Sequence, residues 1–140
     1  MARLQGIAIP YFSKSENIGW IETIESGAID LQQSGDVLAV YYHKEENLLA
    51  RTSSGTLKLT EKPEGLYFEI ELPDTTLAND LTELIQRGDL KGVSFNMTVL
   101  ADRFDFTTEP PNRVIQHAVI SEISIVPKPA YSATYVEVVQ

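Results

Sequence analysis

Hydrophobic and polar residues alternate over much of the chain, and such alternation predicts β-strands, because side chains along a strand switch faces at every residue. The pattern predicts strands over Leu4–Pro10 and Trp20–Ile24, separated by a polar loop, Ser13–Gly19. A short segment, Gly27–Gln33, leads into DVLAVYYH, Asp36–His43, whose nearly continuous apolar run predicts a central strand ending on His43. Leu48–Thr52 and Thr56–Thr60 flank Ser53, Ser54 and Gly55, a Gly-containing link that signals a hairpin. After a turn at Lys62–Gly65, Leu66, Phe68 and Ile70 alternate with Tyr67, Glu69 and Glu71.

One stretch has helical spacing instead. In DTTLANDLTELIQRG, Asp74 is placed to cap the first free amides, Leu77, Leu81, Leu84 and Ile85 form an apolar stripe, and Gly88 suits the residue past the end. The β pattern then resumes in LKGVSFNMTV, Leu90–Val99, with Val93, Phe95, Met97 and Val99 on one face and Ser94, Asn96 and Thr98 on the other. A proline-containing loop, Phe106–Asn112, a long run, Arg113–Val126, and a last strand, Tyr135–Val139, complete the series. The expected fold is a mainly β, α+β, single domain over residues 1–140, with an antiparallel, barrel-like sheet, one main flanking helix and a second short one.

Composition narrows the function. At 140 residues with 43% hydrophobic side chains the chain is long enough to bury a core. Its net charge of -9, without any run of Lys or Arg, argues against a nucleic-acid partner. The absence of cysteine excludes thiolate catalysis and disulfides, and two histidines make a zinc site improbable, so no cofactor is expected. With no signal peptide and no membrane-length apolar run, the expected location is cytoplasmic.

There is no G-x-S-x-G elbow, P-loop or H-E-x-x-H. What remains is His43 at a strand end, Ser94 within a strand, and Glu122 interrupting VISEISIV. A serine needs a base to take its proton, a histidine can be that base, and a carboxylate can orient the histidine. On spacing alone the ordinary readings prevail: a wet serine, an exposed histidine, and a glutamate in a cross-strand ion pair. Alternation puts Glu122 on one face with Ile120 and Ser124, and puts His117 on the opposite face.

Taken with their flanks, these residues resemble the prohead (capsid maturation) proteases of tailed bacteriophages, a family similar to the herpesvirus assembly proteases (assemblin). The resemblance runs in order through YYHKEENLLARTSSGTLKL, GLYFEIELPDTT, LIQRGDLKGVSF and EISIVPKPAYSAT, and more loosely through IPYFSKSENIGWIETIESGAI. It implies a serine endopeptidase with a β-barrel core, in which Ser94 is the nucleophile, His43 the general base and Glu122 the orienting acid. It further implies action inside the immature capsid, in the bacterial cytoplasm, on the scaffolding segment of the major capsid protein and on the protease itself. A homodimer is implied by the herpesvirus relatives.

The chain departs from the family pattern at Tyr42, Lys44 and Asn96, where Asn, Asp and Gly are frequent. His117 is the rival third member, since herpesvirus enzymes use a second histidine, but it reads as an exposed strand residue. The Pro127–Thr134 loop is the candidate source of oxyanion-binding amides. A non-catalytic capsid assembly or scaffold module of the same fold is the alternative function, and a small-molecule esterase a more distant one.

Overall fold

The longest alternating runs form the longest strands, and one of them organises half the molecule. The computed structural model describes residues 2–139, so Met1 and Gln140, the ends of the expected 1–140 domain, lie outside it. The elements run β1 (Arg3–Pro10), β2 (Ile21–Ile24), α1 (Leu31–Ser34), β3 (Leu38–Tyr41), β4 (Lys44–Arg51), β5 (Leu57–Lys62), β6 (Gly65–Glu71), α2 (Thr76–Arg87), β7 (Gly92–Asp105), β8 (Asn112–Val126) and β9 (Tyr135–Val139).

Among the described residues the strands form two open sheets and no closed barrel, which corrects the barrel-like expectation. One sheet has the order β5-β6-β1-β9 and is antiparallel throughout. The other is built on β8, which is 15 residues long. One side of β8 takes β7 along its whole length, antiparallel. The other side takes β2 at Asn112–Ile115 and β3 at Glu122–Ile125, both parallel, and β3 in turn pairs with β4. The sheet is therefore mixed rather than antiparallel, because β8 is long enough to seat two short strands end to end on one edge.

The predicted hairpin across Ser53–Gly55 does not form. β4 pairs with β3 and β5 with β6, so the 3-10 turn Thr52–Ser54 carries the chain from one sheet to the other. Asp36, the first residue of the predicted strand, lies ahead of β3 and ties this turn down, accepting from the Ser53 N–H at 2.9 Å and from the Arg51 guanidinium.

α2 forms where predicted, but Thr75 caps it rather than Asp74: the Thr75 hydroxyl accepts from the Ala78 N–H at 3.1 Å. Asp74 stands one residue too early and bonds the Asn79 side chain instead. Gly88, at φ 86°, ends the helix, donating its N–H to the carbonyls of Leu84 and Ile85. Ala78, Leu81 and Ile85 are buried in one core with Leu4, Leu66, Phe68 and Ile70 of the first sheet and Ile115, Ile120, Ile123 and Ile125 of the second. Each large apolar side chain in that core contributes roughly 1.5–3 kcal/mol by leaving water.

Candidate active site

β7 begins at Gly92, where a Cβ would stand 2.4 Å from Pro129 Cγ. The missing side chain lets the loop after β8 lie directly on the strand. Two more contacts hold it there: the Val93 N–H donates to Thr134 Oγ1 at 3.0 Å, and the Phe95 and Tyr131 rings meet at 5.6 Å between centroids. The Val93 amide thus points away from β8, and alternation turns the Phe95 backbone the same way, toward an edge of β7 that pairs with no other strand among the described residues. Of the loop amides considered for an oxyanion, that of Thr134 is taken by the Tyr131 carbonyl at 3.2 Å.

His43 does not end a strand. β3 stops at Tyr41, and Tyr42 and His43 form a two-residue turn to Lys44, both in the left-handed region at φ 58° and 56°. Turns of this hand match the twist of a hairpin but are usually filled by Asn and Gly, so Tyr42 and His43 carry no turn signal. The turn folds the histidine back over β8. Its Nδ1 lies 2.5 Å from Glu122 Oε1, and its backbone N–H donates to Ser124 Oγ at 2.7 Å. A carboxylate accepts when ionised, so a proton on Nδ1 completes this pair and leaves Nε2 without a partner among the described residues. The imidazole is 37% exposed and the carboxylate 9%, so one end of the pair is anchored and the other reachable.

The β7–β8 register sets Ser94 opposite Ser124 and Asn96 opposite Glu122. Residues directly opposite share a face, so Ser94, Asn96, Glu122 and Ser124 all project toward the side that His43 covers. His43 and Glu122 are bonded; Ser94 stands one strand away, about 4.8 Å in strand spacing. Among the described residues no hydrogen bond joins the Ser94 hydroxyl to the imidazole.

His117 and Glu122 turn out to share a face, contrary to regular alternation. The register passes from Asn96↔Glu122 to Met97↔Ile120, leaving Ser121 as an extra residue on β8. That bulge moves Ile120 to the opposite face from Glu122 and brings His117 back to the same one. The partner of His117 is Asp30, 3.1 Å from Nε2, and not Glu122.

The profile of a family described as caudovirus prohead serine protease matches residues 1–140. The chain belongs to this family. It is accordingly a serine protease of capsid maturation in tailed phages. No curated protein sequence matches it.

Beside Ser94 the protease has a cleft of about 270 Å³, lined by Ile18, Glu22, Phe95, Met97, Ala130 and Tyr131 together with Ser94 and Asn96. Glu22 is 4% exposed yet fully engaged. Its carboxylate accepts from the Tyr131 hydroxyl at 2.6 Å, from Trp20 Nε1 at 3.1 Å and from Arg113 Nη1 at 3.5 Å. Burial and then the Glu22 carboxylate hold the Tyr131 hydroxyl well above the ordinary tyrosine range. The sequence reading missed Glu22, Tyr131 and Ser124. A charge inside the strand Trp20–Ile24 pointed to the first, and the two-residue spacing from Glu122 pointed to the last.

Proposed function

We propose that this prohead protease cuts peptide bonds through Ser94 as nucleophile, His43 as general base and Glu122 as orienting acid. Its substrates are the scaffolding segment of the major capsid protein and, in cis or trans, the protease itself. The observation that carries the reading is the 2.5 Å bond from Glu122 to His43 Nδ1, on the sheet face that also bears Ser94. Ser124 is the nearer serine by contact, but it is fully buried and its oxygen is occupied by the His43 amide. Ser94 is half-buried and borders the cleft.

In the reaction, His43 Nε2 takes the Ser94 proton as Oγ bonds to the substrate carbonyl carbon. The imidazolium then gives that proton to the departing amine as the C–N bond breaks. Water, deprotonated by His43, adds to the acyl ester, and its collapse releases the acid and restores Ser94. Glu122 keeps the imidazole in the tautomer this cycle needs and stabilises its charged form. Catalytic hydrogen bonds are commonly long before substrate arrives, so Ser94 and His43 close on one another when the cleft fills. The free edge of β7 suits an extended peptide, which would add as a further strand beside Ser94.

Co-expression with the cognate capsid protein tests the assignment. The wild type is expected to yield a shortened capsid protein and Ser94→Ala the full-length one, by intact mass. Identical masses in the two would sink it and favour a non-catalytic assembly module.

A further inference from the structure

We propose that Ser124 is a positioning residue for the histidine of this site. The inference rests on the reading of His43 as the base. β8 grips His43 twice, through two residues of one face: Glu122 holds the ring at Nδ1, and Ser124 holds the main chain by accepting its N–H at 2.7 Å. A ring held at one nitrogen alone keeps its freedom to swing about that bond. Fixing the backbone as well fixes where Nε2 points.

Two features show why the second grip matters. The Tyr42–His43 turn places two non-glycine residues in the left-handed region, a conformation that persists only where surrounding contacts hold it. The Ser124 hydroxyl is the contact that reaches this turn from β8, alongside the Tyr42 N–H to the Ile125 carbonyl at 3.2 Å. Ser124 is also completely buried and stands directly opposite Ser94 in the register. Its short side chain therefore spaces the base from the nucleophile's strand while anchoring the base, which a long side chain could not do without pushing the turn away.

The role is read by two measurements. In Ser124→Ala, kcat for a capsid-derived peptide is expected to fall roughly 10–100-fold with KM nearly unchanged, the loss typical of a misplaced catalytic group. In the same variant the low-field proton resonance of His43 Nδ1–H is expected to broaden into solvent exchange. The chain has two histidines, so a His117→Gln background assigns that signal. Ser124→Thr and Ser124→Val have one shape and differ in the hydroxyl, so Thr should exceed Val in kcat by a similar factor.

A folded Ser124→Ala with wild-type kcat and a sharp resonance would overturn the proposal. So would a Ser124→Ala chain that fails to fold while Ser124→Thr and Ser124→Val fold and work equally well. The resonance reports on His43 without any turnover. A protease reading that failed at Ser94→Ala would thus be told apart from a failure of this one.

Discussion

Glu122 hydrogen-bonds the imidazole of His43 from a strand position directly opposite Asn96, so the bonded histidine lies over the sheet face that also bears Ser94. Glu122→Gln keeps the shape of this side chain but offers an amide that can donate as well as accept, and the tautomer of His43 is no longer dictated. The expected loss in kcat on a peptide substrate is on the order of 10²–10⁴-fold, with KM little changed. A variant with wild-type kcat would remove Glu122 from the mechanism and reopen the role of His117.

Gly92 has no room for a methyl group, because a Cβ would meet three atoms of the Pro129 ring at 2.4–3.0 Å. A proline ring cannot rotate aside, so Gly92→Ala must lift the loop that lines the cleft. Overpacking of this kind costs about 1–3 kcal/mol, which thermal unfolding would register. Peptide turnover should fall further than this loss of stability explains, because Tyr131 and Ala130 move with the loop. Unchanged melting and turnover would mean that the loop is free to shift.

Asp36 ties the start of β3 to the turn that follows β4, and so braces the hairpin that presents His43. The Arg51 guanidinium, then the Ser53 amide, hold its carboxyl well below the ordinary value of 3.8. A carboxyl depressed in the folded state stabilises the fold above its ordinary value, and that contribution is lost as pH falls toward the folded one. Asp36→Asn should therefore melt below wild type near neutral pH, and the gap should narrow progressively below about pH 4. A gap that stayed constant through that range would show that the carboxylate's charge contributes nothing.

What the sequence made legible was local. α2 was readable because its stripe and its closing glycine all lie within fifteen consecutive residues, and the cap was misplaced by one position because Asp74 and Thr75 are both good caps. The face carrying Ser94 followed from alternation. What escaped was the choice of partners. A Gly-containing link looks the same whether its strands pair with each other, as expected for Leu48–Thr60, or with strands elsewhere, as β4 and β5 do. The parallel seats of β2 and β3 on β8 leave no local trace. Glu122 was visible because a charge inside an apolar run needs a reason, but the bulge at Ser121, which decides what shares its face, was not.

The dependence of the site on β8 has a consequence for when the protein becomes able to act. Glu122 and Ser124 are on that strand, His43 is held by them, and Ser94 is aligned only through its pairing with Ser124. β3 and β7 can neither of them arrange these groups alone. During synthesis, then, the histidine and the serine emerge from the ribosome before the strand that unites them, and contacts spanning 79 and 81 positions along the chain cannot close until that strand follows. A nascent chain that ends before β8 carries His43 and Ser94 but neither Glu122 nor Ser124, so the proposed site cannot assemble until β8 has been made.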